Sequence, residues 1–316
     1  MRLLDARKLE LVDVRDDAVP PYAILSHTWG DKEITLQELR HMKGRMPSSL
    51  DKRKRTIADM QGFLKVRDAA ALAVMRGYSY IWVDTCCIDK SSSAELSEAI
   101  NSMYLWYQQA EECYAYLSDV NSAKDEGWAK PNSSLRRSRW FTRGWTLQEL
   151  IAPKAVHFYA KDWSLRIISS VTGIDGEVLD GRIDPLQLSV SARMKWASHR
   201  HTTRLEDMAY SLMGLFQVNM PLLYGEGPRA FTRLQEEIIQ RTDDQSLYAW
   251  HSFDNAEEDP DALVGLLAHS PAQFKGAGNI QPLPPSPVYA SAPSGITNHG
   301  LRVQIFTPLA NGTRQQ

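Results

Sequence analysis

The sequence predicts an α/β fold, with a mostly parallel sheet flanked by helices over residues 1–165. A mainly helical subdomain follows over 166–250, then a linker and the start of a short β-rich C-terminal segment over 251–316. Three observations predict this. Short apolar runs alternate with capped helical periodicities as far as about residue 160, which is the pattern of strands joined by right-handed crossovers. Several of these runs end in a polar or acidic residue. Beyond Ser170 the periodicity becomes helical.

The first strand is YAILSHT, residues 22–28, an apolar run that delivers Ser26 and His27 to its carboxyl end. A helix over Asp51–Arg76 follows, with Ile57, Met60, Phe63, Leu64 and Ala70 near a 3.6 period and Gly77 as its stop. Tyr80–Val83 is β-branched and aromatic, and runs into Asp84 as the second strand. Ser92 to Glu95 has capping-box spacing and opens a helix in which Leu96, Ile100, Met103, Tyr104 and Tyr107 share a face. CYAYLSDV, Cys113–Val120, is the next strand, followed by an Arg-rich loop over Asn121–Arg139. A short helix around Trp145–Ile151 closes at Pro153, before the strand AVHFY, Ala155–Tyr159. A sheet of four or five strands is expected.

The helical part is expected to contain Leu205–Phe216, after a second capping-box spacing at Thr203–Glu206, and Arg229–Arg241, after Gly227-Pro228. Asn279–Gly295 is rich in proline and serine and reads as a linker. Leu301–Phe306 alternates like a strand close to the end of the sequence, so the chain is expected to stop inside a further β-rich unit.

Composition narrows the function classes. With 43% hydrophobic and 23% charged residues and a formal charge of −2, the chain reads as a folded globular protein with no bulk electrostatic pull toward nucleic acid or anionic membrane. Only three cysteines occur, two of them adjacent, which supplies neither a disulfide framework nor a paired metal site. MRLLDARKLELVDV has no apolar core of a signal peptide, and no window reaches the roughly 18 apolar residues of a spanning helix. A cytoplasmic protein without a membrane span, metal or resident cofactor is expected.

The candidate site is the carboxyl edge of the sheet, where ligands bind in open parallel folds. Ser26, His27 and Trp29 follow the first strand, Asp84 and Asp89 the second, and Asp119 the third. Each alone reads as a helix cap; the clustering is the signal. In RGWTLQEL, Trp145 and Glu149 stand one helical turn apart. Two readings stay open here. Trp145 is a core anchor with Glu149 solvated or bridged to Arg143, or the carboxylate is an acid, base or cation stabiliser held beside an indole. Arg-rich LRRSRWFTR, Leu135–Arg143, is either a solvated loop or a contact for dinucleotide phosphates. Gly225–Gly227 lacks the lysine of a P-loop and reads as a turn. His199 and His201 lack the companions of a metal site, and Cys86 and Cys87 read as strand-end core.

AILSHTWG (Ala23–Gly30), YIWVDTCCIDK (Tyr80–Lys90), CYAYLSDV and RGWTLQEL (Arg143–Leu150) follow one another in the order and spacing of the fungal heterokaryon-incompatibility (HET) family, which the chain resembles over about residues 22–160. The resemblance implies a fungal non-self recognition effector that triggers programmed cell death, signalling by self-association or by engaging other incompatibility or NLR-type proteins. A more distant resemblance is to TIR domains, which have a flavodoxin-like sheet and a Trp-x-x-x-Glu-like helix whose glutamate is catalytic in members that cleave NAD. It aligns Trp145 and Glu149 with that helix and Ser26 with the first-strand position. What it implies is an NAD(P) glycohydrolase with Glu149 as the catalytic carboxylate. Ser26, His27, Trp29, Asp84, Asp89, Arg143 and Trp145 would hold the dinucleotide substrate, in a site completed by neighbouring subunits.

Overall fold

AILSH is buried at all five positions, which a strand achieves only when both faces of its sheet are covered. It is the centre of the fold in the computed structural model, which describes residues 1–42, 60–122, 133–166, 174–251, 265–280, 295–298 and 300–303. The main sheet has strands β1 (Arg2–Asp5), β2 (Glu10–Asp13), β3 (Ala23–His27), β4 (Tyr80–Trp82), β5 (Glu112–Leu117), β6 (Val156–Ala160) and β7 (Leu165–Arg166). They lie in the order β2-β1-β4-β3-β5-β6-β7.

The four expected strands form the parallel centre, β4-β3-β5-β6. Taken in chain order they lie 2-1-3-4, so the direction of winding reverses beside β3. The expected sheet of four or five strands is a sheet of seven, because β1, β2 and β7 add antiparallel edges. β1 is fastened by Arg2, which donates to Glu95 at 2.7 Å and to the Cys87 carbonyl at 3.1 Å.

Helices among the described residues are α1 (Leu36–His41), α2 (Gln61–Met75), α3 (Asp84–Cys87), α4 (Ser93–Gln109), α5 (Thr146–Ile151), α6 (Gly176–Leu179), α7 (Val190–Ala197), α8 (Asp207–Tyr210) and α9 (Arg229–Ile239). α2 lies within the expected Asp51–Arg76, whose first nine residues fall outside the described part. Cys86 and Cys87 are buried as expected, but in α3 rather than at a strand end. At α4 only half of the capping box forms. Ser92 accepts from the Glu95 amide, while the Glu95 carboxylate turns to Arg2 and the Asp89 amide.

The expected helix over Leu205–Phe216 is a correction. α8 has four residues, and a 3-10 turn covers Gly214–Phe216. Glu206 does not complete a capping box; its carboxylate accepts from the amides of Gly225 and Gly227 at 2.7 and 3.1 Å and so holds the turn before α9. Thr297 and Gly300 close a small hairpin of β8 (Gly295–Thr297) and β9 (Gly300–Arg302); of the rest of the expected strand to Phe306, Val303 is not in the strand and residues 304–306 lie outside the described residues, as does most of the linker.

Side-chain alternation on β5 and β6 divides the core. Tyr114, Tyr116 and Tyr159 join Ile24, Leu25, Val66 and Ala69 in one cluster. Ala115, Leu117, Phe158 and Ala160 join Trp140, Leu147, Met194, Tyr210, Phe231 and Leu234 in the other. The helical part therefore shares its core with the sheet and packs directly on one of its faces. No helix of the described residues is long and apolar enough to cross a membrane.

Gly144 sits where the two parts meet. Its amide donates to the His201 carbonyl at 2.9 Å, and a Cβ there would come within 2.4 Å of Thr202 Cγ2. Gly144→Ala is expected to lower unfolding free energy by about 1–3 kcal/mol through overpacking. Gly176→Ala, with nothing within 4 Å of its Cβ, is expected to change it by less than about 0.5 kcal/mol. Urea titration of both checks this; equal effects would contradict the close approach.

Candidate functional site

Consecutive residues of a strand face opposite sides, so Ser26 and His27 at the end of β3 open two polar clusters back to back. On the Ser26 side, the Trp140 indole N–H donates to Ser26 Oγ at 2.7 Å, and Ser26 Oγ donates to Glu149 Oε2 at 2.5 Å. All three residues are buried. Trp140 arrives on a 3-10 turn, Arg139–Thr142, that Asp119 holds by accepting from the Ser138 hydroxyl at 2.6 Å and the Arg139 amide at 2.8 Å. Its ring then packs edge-on against Phe158.

Glu149 stands in α5 at 7% exposure. Burial pushes its carboxyl up to about 7. The Ser26 hydroxyl opposes this, the charge of Asp84 adds to it, and the charge of Arg143 and the Tyr107 hydroxyl oppose it. Arg200 is half-buried near Glu149, and desolvation lowers its guanidinium to about 10 against the attraction of that carboxylate. It donates to the Arg143 carbonyl and to Thr146 Oγ1, both at 2.8 Å, which fixes the start of α5.

On the His27 side, α2 presents Lys65, whose Nζ lies 2.7 Å from both His27 Nδ1 and Glu33 Oε1. An ammonium only donates, so His27 Nδ1 accepts and its Nε2–H faces Asp84 Oδ1 at 3.0 Å. The Trp29 indole donates to the other oxygen of Asp84 at 2.8 Å, and Lys90 Nζ lies 3.5 Å above the Trp29 ring. Burial alone would raise the Asp84 carboxyl; the hydrogen bond from His27, the charge of Lys90 and the Trp29 N–H together hold it far below the usual range. Burial lowers Lys65, and desolvation lowers the more exposed Lys90.

Of the residues singled out in the sequence, the structure brings Ser26 and Glu149 into contact, and His27, Trp29 and Asp84 into a second network within electrostatic reach of Glu149. Asp89 stands apart. Its carboxylate accepts from Ser91 and from Gln37 at 2.9 Å and shapes the turn before α4. Trp145 does not pair with Glu149 as its spacing suggested. The indole in the Glu149 hydrogen-bond chain is that of Trp140, while Trp145 bonds Asp207. Arg143 makes no salt bridge to Glu149 and acts on it at longer range. Arg143 and Trp145 instead line a recess of about 230 Å³, of which Glu149 is not a lining residue.

Lys65, Lys90, Glu33, Trp140, Tyr107 and Arg200 are site residues that sequence reasoning passed over. A signal existed for Lys65, which falls among Phe63, Val66 and Ala69 on the buried side of α2. For Trp140 there was only its place in the Arg-rich loop.

Comparison with known proteins adds the following. Residues 22–133 match the model of the heterokaryon incompatibility protein (HET) family, and residues 229–316 match a domain of unknown function, DUF8212. The vegetative incompatibility protein HET-E-1 of Podospora anserina is 46% identical over 240 residues, covering 72% of this chain and 17% of the relative. The chain thus spans about a sixth of that protein's length. No solved structure matches. Ser26, His27, Trp29, Asp84 and Asp89 lie within the matched family stretch, and Arg143, Trp145 and Glu149 lie beyond it.

The raised carboxyl of Glu149 has a thermodynamic consequence. A group whose folded pKa exceeds its unfolded value, here about 7 against 4.5, contributes stability that is fully present below pH 4.5 and is lost as pH rises through 7. The loss is on the order of 3 kcal/mol. Wild-type unfolding free energy is therefore expected to decline between pH 5 and 8 more steeply than that of Glu149→Gln, whose amide does not titrate. Denaturant titration across that range checks this, and parallel slopes would contradict it. Asp84, with a depressed carboxyl, contributes in the opposite sense, and its window lies below about pH 4.

Proposed function

Because this chain carries a domain of the heterokaryon-incompatibility (HET) family, we infer that it acts in vegetative incompatibility, as a non-self recognition effector that triggers cell death by assembling or by binding a partner. The identity of 46% over 240 residues to a vegetative incompatibility protein carries this reading. Since the chain matches only 17% of that relative, the partners and trigger are taken from its class and not from its particulars. Self-association or other incompatibility and NLR-type proteins are the partners it proposes, in the cytoplasm.

A second reading is favoured by one observation, a buried carboxylate tied to Ser26 at the carboxyl edge of a parallel sheet. The strand order 2-1-3-4 is that of flavodoxin-like folds, and β3 stands where the winding reverses, the usual place for a ligand. This supports a TIR-like arrangement and an NAD(P) glycohydrolase activity. In that reaction the bond between the ribose C1′ and the nicotinamide nitrogen breaks, and nicotinamide leaves with the electron pair. The oxocarbenium-like carbon takes a water oxygen, and a proton is released. Ionised Glu149 would stabilise the developing cation, and the network of His27, Asp84, Trp29 and Lys90 would orient the substrate. With Glu149 at 7% exposure, this reading requires the site to open or to be completed by neighbouring copies.

The test expresses wild type and Glu149→Gln in yeast and measures survival, together with nicotinamide release by the purified proteins, dilute and forced to cluster. The effector reading expects wild type to kill and Glu149→Gln to kill equally, without nicotinamide release. Killing and release that both fall at least 100-fold in Glu149→Gln, on the order expected for removing one transition-state partner, would replace it with the glycohydrolase reading. Full survival with wild type contradicts both.

A further inference from the structure

The loop that delivers Trp140 and the segment after α7 meet edge to edge. The His201 amide donates to the Thr142 carbonyl at 2.7 Å, the Gly144 amide to the His201 carbonyl at 2.9 Å, and Arg143 and His201 form an isolated parallel bridge. The recess of about 230 Å³ lies along this seam, lined by Arg139, Arg143, Trp145, His201, Asp207 and threonine side chains from both segments.

Its electrostatics are unbalanced. Among the described residues neither the Arg139 nor the Arg143 guanidinium has a hydrogen bond or an ion pair, whereas those of Arg2, Arg76 and Arg233 are each held by a carboxylate. The backbone of Arg143 is tied down by Arg200, so its side chain alone is uncommitted. The acid in the recess is already engaged: Asp207 accepts from the Tyr224 hydroxyl at 2.9 Å and from Trp145, and burial raises its carboxyl. That bond occupies the Trp145 N–H and leaves the ring surface to line the recess. Two uncommitted forks beside an indole are the chemistry that holds phosphoryl oxygens and stacks a planar ring.

Size limits the occupant. At about 230 Å³ the recess falls below the roughly 300–1,000 Å³ that encloses a drug-sized ligand, so it takes a phosphate end and leaves the rest of the molecule along the surface. We propose that this recess binds the diphosphate of a nucleotide, clasped by Arg139 and Arg143, with the Trp145 ring against the ribose or base. The proposal rests on the dinucleotide reading of the site, but it requires binding and not cleavage. It also gives a bound anion a route to the chemistry, because Arg143 is one of the charges that act on Glu149.

The experiment is isothermal titration calorimetry of the full chain with ADP-ribose, inorganic pyrophosphate and adenosine at low ionic strength. Nicotinamide release from NAD is assayed in parallel. ADP-ribose and pyrophosphate are expected to saturate and adenosine to give no heat. Arg139→Gln and Arg143→Gln should each weaken ADP-ribose at least tenfold, with Arg182→Gln, which does not line the recess and pairs with Glu177 and Asp180, as the unaffected control. Circular dichroism confirms that each variant is folded, and either arginine alone suffices to read the result. ADP-ribose binding without nicotinamide release supports the recess while removing the cleavage reading. Absence of saturation at millimolar ADP-ribose, or affinity that survives both substitutions, overturns the proposal.

Discussion

One hydroxyl group ties the site to the fold. Ser26 Oγ has a single proton, which goes to Glu149, and it accepts the Trp140 indole N–H; no water is needed to complete either bond. These bonds join β3 to segments more than a hundred residues away in sequence, on the face of the sheet that the helical part covers. Leaving any of the three groups unpaired in this interior would cost about 1–3 kcal/mol, so the loop at Arg139–Thr142 and α5 cannot drift independently of β3. Asp119 holds that loop from the other end, and Arg200 holds the first turn of α5.

Back-to-back placement of two acids gives the site its character. Asp84 is surrounded by donors and cations and stays ionised, while Glu149 lies in a poorer environment and feels the charge of Asp84 as a further penalty. Pairs of carboxyls pushed apart in this way are a mark of sites that need one acid and one base at the same pH, although buried structural networks show it too. The proposed effector role needs only that the HET surface assemble or bind a partner. The separated pair is what an enzyme would add.

Much of this was legible from residue order. The four parallel strands are largely apolar runs buried over most of their length, which leaves little ambiguity in the pattern, and the polar residues that follow them gather at one edge because a parallel sheet puts them there. β1 and β2 were not legible. RLLD and ELVD have four residues each with charged ends, too short for alternation to register, and they are held by a distant ion pair between Arg2 and Glu95. The helix expected over Leu205–Phe216 failed because Glu206 serves the Gly225–Gly227 turn, and because Gly214 lies where a Cβ would meet the Tyr104 ring at 2.4 Å. Both are tertiary demands that no local spacing reveals. The indole beside Glu149 was hidden in the same way: helical spacing relates Trp145 to Glu149, but a hydrogen bond through Ser26, on a strand more than a hundred residues earlier, relates Trp140 to it.

The account depends on Glu149 being a buried carboxyl that gains and loses its proton near neutral pH. Carbon-13 resonance of the Glu149 side-chain carboxyl, assigned by comparison with Glu149→Gln and followed from pH 4 to 9, tests this directly. A midpoint near 7 is the result the structure requires. A midpoint near 4.5, that of a solvated glutamate, would mean that the carboxyl is open to water and that the Ser26–Trp140 cluster does not enclose it.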